Sequence, residues 1–482
     1  MNRIIFLFIL ALTFTGCASE PEKPNVILIM ADDLGWGDTG YNGNEVIMTP
    51  FLDQMSEEGL RFDRFYSGSA VCSPTRASVL TGRNPFRTGV FTANNGILRP
   101  EEITIPEALK KHGYVCGHFG KWHLGTLTHE IKDANRGAPG NTEEFNPPSQ
   151  HGFDVNFSTE SKVPTWDPMR KTRQANKDGW QSITEGEEYE HYGTHYWDTD
   201  GNMVTENLEG DDSRVIMDRV LPFIDQSAED GNPFLAVVWF HTPHKPCVAG
   251  PAYREMYKEH DLKMQNYAGC ITAMDEQIGR LRNFLSDKGI EKNTMIWFCS
   301  DNGPENGNPG STGGLRDRKR SLHEGGIRVP GILVWPAKVK QGRTTSTPCF
   351  TSDYLPTIIG AVGESVQDWP NELDGTDIGA LINGGELERE KPLAFMHGGQ
   401  VVLMEEDLKI YYSDALPELY NITEDRSEKK DLGSEKPETV TAMTDQLKMW
   451  QESCRNSFNG DEYGTESYDR MGQRWRAPKI EK

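Results

Sequence analysis

The chain has 482 residues and carries 73 acidic against 50 Lys and Arg side chains, a formal net charge of −23. That length allows more than one domain around a large core, and the acidic balance argues against non-specific nucleic-acid binding, which needs a basic face. It leaves an anionic substrate open, because a locally basic pocket can sit on an acidic protein.

The N-terminus differs from the rest. Asn2 and Arg3 precede the apolar run IIFLFILALTF, followed by TGCASE. The pattern is that of a secretory signal, too short to span a membrane comfortably as a permanent helix. Small residues before Cys17 resemble a bacterial lipoprotein cleavage box. Residues 1–17 are therefore expected to be a lipoprotein signal region, with Cys17 lipidated. The protein is expected to be exported to the cell envelope, periplasm or outer membrane, and to touch the membrane only through that lipid. An ordinary signal with a chance cysteine is the other reading. Cys72, Cys116, Cys247, Cys270, Cys299, Cys349 and Cys454 remain, with no CxxC pair. Neither a disulfide framework nor a zinc knuckle is indicated, and most read as buried small hydrophobes.

Three apolar, β-rich runs predict buried strands: NVILIM (25–30), FLAVVWF (234–240) and TMIWFC (294–299). Helical patterns lie between them, at TPFLDQMSEEG, IPEALKKHG, DSRVIMDRVLPFIDQSA and MQNYAGCITAMDEQIGRLRNFLSDKG. Alternation of this kind predicts an α/β fold with a large, mostly parallel mixed sheet flanked by helices. Each apolar strand runs into a polar cluster: ADDLGWGD, HTPHKP and SDNGPE. Open α/β sheets bind ligands at the carboxyl ends of their strands, so the three clusters can meet in one crevice. Residues 126–212 are polar and aromatic and read as long surface loops. After residue 385 short apolar segments and a helical run, PETVTAMTDQLKMWQESC, predict a smaller α+β domain of antiparallel strands plus a helix. Residues 24–385 are thus expected to form the catalytic domain and 386–482 the C-terminal one, its end from Arg455 polar and extended.

The segment VCSPTRASVLTGR (71–83) reads as a helix start. Ser73 can cap it, Pro74 fits its first turn and Gly82 can stop it. Cys72 would lie at the positive end of the helix dipole, with Arg76 on the same face as an anion clamp. Asp32, Asp33, Asp301 and Asn302 are hard oxygen donors that suit Ca²⁺ or, less well, Mg²⁺. In GKWHLG, Lys121 and His123 point to one face of an extended segment and Trp122 to the other. In HTPHKP, His244 is a candidate acid and His241 a weaker one. In RKRSLHEGGIRVP, Lys319 precedes Glu324, Gly325 and Gly326 mark a tight turn, and the cations can neutralise an oxyanion. Singly, each feature has a bland reading as turn, core or solvated face. Together they fit hydrolysis of an anionic tetrahedral ester.

These residues carry a resemblance. CSPTRASVLTGR is similar to the sulfatase signature, and GYVCGHFGKWHLG to that family's second signature, although Cys116 stands where threonine is common. NVILIMADDLGWGD, TPFLDQMSEEG, PHKP, SDNGPE and EGGIRVP fall in the family's order, so the resemblance runs from about residue 24 to ELYNITEDRSEKKDL. It implies an alkaline phosphatase-like fold. It also implies that a maturation enzyme oxidises Cys72 to formylglycine (3-oxoalanine), whose hydrate attacks sulfur, and that Asp32, Asp33, Asp301, Asn302 and residue 72 hold Ca²⁺. Arg76, Lys121 and Lys319 would balance charge, and His244 would protonate the leaving oxygen. His123 would deprotonate the second hydroxyl to release sulfate. One departure stands out: Arg318 occupies a place where the family often has glycine, which leaves a neighbour of Lys319 open as the third cation.

Exported sulfatases of this type resemble those with which bacteria desulfate polysaccharides, so the expected partner is a sulfated oligo- or polysaccharide. Algal polymers such as ulvan or carrageenan fragments stand first and glycosaminoglycans second. His118, Trp166, Trp180, His195 and Trp197 are candidate pocket residues, with packing as the competing role of each. A phosphomonoester or phosphonate hydrolase of the same fold is the nearest alternative, and a non-catalytic polysaccharide-binding lipoprotein the other. A cysteine phosphatase is disfavoured, because it wants arginine where Ser78 stands.

Overall fold

The run NVILIM becomes the central strand Asn25–Ala31, and both its neighbours, Phe234–Trp239 and Thr294–Ser300, are parallel to it. Val115–Lys121 and Val155–Thr159 extend the parallel set. This computed structural model describes residues 23–177, 179–184, 186–413, 416–464, 474–478 and 480. The expected signal region and Cys17 lie outside the described residues.

The mixed sheet has nine strands, in the order Arg343–Thr345, Leu60–Phe62, Gly331–Val334, Thr294–Ser300, Asn25–Ala31, Phe234–Trp239, Val115–Lys121, Val155–Thr159, Trp197–Asp198. The antiparallel pairings all involve Gly331–Val334 or Trp197–Asp198, which flank the five parallel strands on either side. The continuous apolar reading of the central strands follows from burial on both faces. Val26, Leu28 and Met30 pack on one side with Ala77 and Leu80 of the helix Cys72–Thr81. Ile27 and Ile29 pack on the other with Val215 and Ile224 of the helix Asp212–Glu229 and Ile271 and Ile278 of Leu262–Asp287. Successive strand side chains alternate faces, so one strand nails two helix layers to the sheet. Each such fully buried side chain contributes ~1.5–3 kcal/mol. Asp211 and Asp261 cap the two long helices by accepting from Arg214 N and Met264 N.

The C-terminal part is a four-stranded antiparallel sheet, Leu393–His397, Gln400–Glu405, Leu408–Tyr412 and Glu418–Asn421, in sequence order. Phe395, Val402 and Tyr411 face Tyr66 and Phe350 of the main body. Val401, Leu403 and Ile410 face Leu447 and Phe458 of the helix Pro437–Asn459. That helix runs five residues beyond Cys454, to Asn459. The end of the chain is not simply extended over the surface: Trp475 packs its ring against Phe86, Phe91 and Phe458. Lys409, fully buried, pairs with Glu324 at 2.9 Å and Glu428 at 2.8 Å and so ties this sheet to the main body.

Other expectations are corrected. The 126–212 region is not all surface, since Asp133 is buried and receives hydrogen bonds from His195 and from Trp197 Nε1. Gly325 and Gly326 lie in one helical turn, Glu324–Ile327, where a Cβ would meet Asp317 O at 2.1 Å and Ser321 O at 1.9 Å. Close backbone approach, rather than a tight turn, requires them. The seven described cysteines are free and buried. Among the described residues no helix is long and apolar enough to cross a membrane.

Candidate active site

The five parallel strands end at one edge, and polar residues leave each end. Asp301 and Asn302 follow Ser300, Asp32 and Asp33 follow Ala31, and His244 lies in the loop after Trp239. Lys121 closes its strand, with His123 two residues on. Cys72 opens the helix Cys72–Thr81, so its side chain sits at the positive end, as the sequence suggests. The cap is Val71 rather than Ser73, because the helix begins at Cys72, two residues earlier than a Ser73 cap would allow. Ser73 lies inside the first turn with its buried hydroxyl unpartnered. Gly82 ends the helix at φ 68°, a left-handed position that suits glycine.

Charge pairing organises the cluster. Lys121 Nζ donates to Asp32 Oδ2 at 2.6 Å, and Lys319 Nζ donates to Asp33 Oδ1 at 2.5 Å. Arg76, fully buried over the Trp239 ring, donates to Lys121 O at 2.9 Å and Asp301 Oδ2 at 2.8 Å, with Asp32 Oδ2 3.6 Å away. Arg76 is thus a brace between strand ends, and only its Nε is without a partner. Burial pushes the Asp32 carboxyl up, but Lys121, His244, Arg76 and Lys319 together hold it well below its ordinary value. Asp301 is pushed up to about 7 by burial and by the Asp32 charge. Burial also raises the Cys72 thiol; Lys121 and Lys319 oppose the rise without cancelling it. An unmodified Cys72 is therefore protonated and a poor nucleophile.

Three buried oxygens at this edge have no hydrogen-bond partner: Asp32 Oδ1, Asp33 Oδ2 and Asn302 Oδ1. Leaving such acceptors bare costs stability, more so for charged ones. A hard divalent cation satisfies all three, so the donor set fits a metal ion. Ligand atoms of Asp32, Asp33 and His244 all lie within 4.8 Å of one another. His244 arrives from a different strand end, and the HTPHKP cluster meets the carboxylates as the sequence suggests.

Residues 24–364 match the family model described as Sulfatase. The chain belongs to the sulfatase family. It is a sulfuric ester hydrolase. N-acetylgalactosamine-6-sulfatase of Canis lupus familiaris is 30% identical over 411 residues, covering 81% of this chain and 72% of the relative. The solved structure of Ps i-CgsB in complex with k-i-k-neocarrahexaose is similar with a TM-score of 0.76 at 26% identity, covering 93% of this chain and 95% of that one. The phosphonate monoester hydrolase of Agrobacterium radiobacter shares the fold, with a TM-score of 0.62 at 18% identity over 90% of this chain and 96% of that one.

Several candidate residues of this sulfatase lie away from the cluster. His241 is fully buried between Asp212 Oδ2 at 2.7 Å and Thr159 Oγ1 at 2.8 Å, which leaves no ring nitrogen for an acid's work. His118 is sealed among Trp122, Phe153 and Trp239 and bonded to Ser158, so it lines no pocket. Trp197 is buried on Asp133, and His195 is held by the same carboxylate. Trp166 packs on Gly250, where an added Cβ would meet its ring at 2.2 Å. Trp180 lines a cavity.

Arg318 and Lys319 are told apart. Arg318 donates to the carbonyls of Asn308 at 3.1 Å and Gly310 at 2.7 Å, while Lys319 turns into the cluster. Two residues escape the sequence reading. Asn94 Oδ1 lies 2.8 Å from His123 Nε2, and both residues take positive φ, 60° and 59°. Lys162 follows the fifth strand end, and no hydrogen bond or ion pair engages it among the described residues. Burial and repulsion from Lys121 and Lys319 lower its pKa, against the pull of Asp32 and Asp33. Counting strand ends in the parallel sheet could have found Lys162.

Proposed function

We propose that this sulfatase removes sulfate groups from a sulfated carbohydrate, an algal oligosaccharide such as a carrageenan or ulvan fragment, with Cys72 matured to formylglycine and Ca²⁺ at the strand ends. The observation that carries the reading is the trio of bare buried oxygens, Asp32 Oδ1, Asp33 Oδ2 and Asn302 Oδ1, at the edge where Cys72 opens its helix. Ca²⁺ would supply Lewis-acid polarisation of the sulfate, and the hydrated aldehyde a hydroxyl nucleophile, which the protonated Cys72 thiol is not.

The chain's own side chains do the rest. Asp32, Asp33, Asn302 and Asp301 would hold the cation, Lys121 helps to keep Asp32 ionised, and Lys121 and Lys319 add positive charge where sulfate oxygens sit. His244 Nδ1 donates to Lys245 O at 2.7 Å, which leaves Nε2 facing the cluster. Burial lowers this ring to about 4, offset in part by Asp33 and Asp32. An arriving sulfate adds negative charge and favours the protonated ring, which then gives its Nε2 proton to the leaving sugar oxygen. Burial, with Lys121, Arg136 and Arg76 nearby, holds His123 well below its ordinary value, so it stays neutral. Its Nδ1, buried and unpartnered, can accept a proton while Asn94 holds Nε2.

The carbohydrate assignment draws on the oligosaccharide bound to Ps i-CgsB. A glycosaminoglycan is the second reading, favoured by the N-acetylgalactosamine-6-sulfatase relative. A phosphonate hydrolase shares the fold alone. The apolar run before Cys17 supports export as a lipid-anchored envelope protein, and the maturation enzyme is the implied protein partner. The test is sulfate release, by ion chromatography, from sulfated carrageenan, ulvan and chondroitin oligosaccharides, beside phenol release from phosphonate phenyl monoesters. Phosphonate turnover without sulfate release would overturn the proposal.

A further inference from the structure

A cavity of about 450 Å³ opens one residue beyond His244. Its walls include Trp180, Lys177, Lys245, Lys263 and Asn308. No described lining residue is a carboxylate, in a chain with a net charge of −23. The contrast with another surface cavity is sharp: that one is lined by Asp218, Asp225, Glu276 and Asp287. Among the described residues no hydrogen bond or ion pair engages the Lys177 and Lys263 ammonium groups, so both are available to an incoming anion.

The cavity is fixed relative to the cluster by hydrogen bonds. Trp180 sits on a short hairpin, Arg173–Gln174 with Trp180–Gln181. Asn266, 1% exposed, donates to Trp180 O at 2.6 Å and accepts from Ala249 N at 3.0 Å. One side chain therefore binds the hairpin to the loop that carries His244 and Lys245. Lys245 Nζ donates to Asn306 O at 2.9 Å, and Arg318 grips the same loop through Asn308 O. The next residue, Lys319, reaches Asp33. The walls of the cavity and the strand-end cluster are held by the same short segments.

We propose that this cavity is a second sugar subsite, taking a sulfated or carboxylated residue next to the one that loses its sulfate. Trp180 offers an apolar platform for a sugar face, and Lys177, Lys245 and Lys263 offer charge-assisted hydrogen bonds to its anionic group. The inference rests on the carbohydrate sulfatase reading and deepens it: the substrate is a multiply charged oligosaccharide rather than a lone sulfate ester. Gln174, Asn176 and Asn308 line the cavity beside the three lysines, a polar wall that suits the hydroxyls and the charge of such a ligand.

The test is isothermal titration calorimetry on the full chain carrying Cys72→Ala, so that no turnover occurs. The probes are a sulfated neocarrahexaose, a chondroitin 6-sulfate hexasaccharide and 4-nitrophenyl sulfate. At least one hexasaccharide is expected to bind ~tenfold tighter than 4-nitrophenyl sulfate, and Trp180→Ala or Lys263→Ala to erase that ~tenfold difference. Lys177→Ala, on the exposed hairpin, repeats the test without a buried change. Equal affinity for all three probes, or hexasaccharide binding that the substitutions leave intact, overturns the subsite. Hydrolysis of 4-nitrophenyl sulfate by the matured wild-type chain is read separately. If it fails, the sulfatase chemistry falls; if it proceeds while the substitutions change nothing, the subsite alone falls.

Discussion

Lys319 and Asp33 meet at 2.5 Å although 286 positions of chain separate them, and both side chains are almost fully buried. The other oxygen of the same carboxylate, Oδ2, has no hydrogen-bond partner and lies 3.7 Å from His244 Nε2. One oxygen of this carboxylate is thus satisfied by an ammonium, and the other has no hydrogen-bond partner among the described residues.

Lys319→Met should lower kcat/KM by ~10²-fold, the size seen when one preorganised charge is removed from a developing anion. In EDTA it should also cost about 3–5 kcal/mol, because Asp33 is left buried without its ion pair. Saturating Ca²⁺ should recover part of that loss by binding the folded state alone. Urea unfolding with EDTA and with Ca²⁺ checks this. An equal loss in both conditions would separate Lys319 from the metal site.

The pH dependence of stability has a definite sign at His244. Its folded value is about 4, and its ordinary value is 6.5. Between those values the unfolded chain binds a proton at this ring that the folded protein does not. Its contribution is therefore intact above pH ~6.5 and is lost as pH falls toward ~4, by at most ~3 kcal/mol. His244→Gln should flatten the fall in urea midpoint across that window in metal-free protein. Parallel curves for variant and wild type would remove His244 from the account.

Lys409→Met should destabilise by about 3–5 kcal/mol, because Glu428 would remain buried without this ion pair and Glu324 would keep only Arg328, 3.5 Å away. Thermal and urea unfolding measure it. A loss below ~1 kcal/mol would mean that this triad does not tie the C-terminal sheet to the main body.

The parallel strands were legible because burial on both faces leaves continuous apolar runs, and their ends were legible because polar clusters follow at once. Asp32, Asp33, Asp301, Asn302, Lys121 and Lys319 were each readable from such a cluster, and the structure gathers them at one edge. His241, offered as the weaker acid, is a core residue, and His118 takes the packing role set against its pocket role, because a histidine inside a hydrogen-bonded core looks, in sequence, like one facing a crevice. Ser73 was misread because a cap depends on backbone angles that Val71 adopts instead. Asn94 went unseen because only tertiary packing brings a loop asparagine beside His123, and Lys162 because VNFST was not read as a fifth parallel strand whose end it follows. Trp475 was missed for a related reason: its ring joins an aromatic cluster that three distant segments build.

The central claim is that residue 72, matured to formylglycine, carries out sulfate ester hydrolysis at the strand-end cluster. The most direct measurement is sulfate release from 4-nitrophenyl sulfate by the chain co-expressed with a formylglycine-generating enzyme, beside Cys72→Ala produced identically, with the mass of the peptide bearing residue 72 read in both. The account predicts the aldehyde mass and turnover in the wild-type chain, and no turnover in a variant that keeps its unfolding temperature and its Ca²⁺ shift. Turnover undiminished in Cys72→Ala, or full turnover by a chain whose residue 72 remains a thiol, would contradict it.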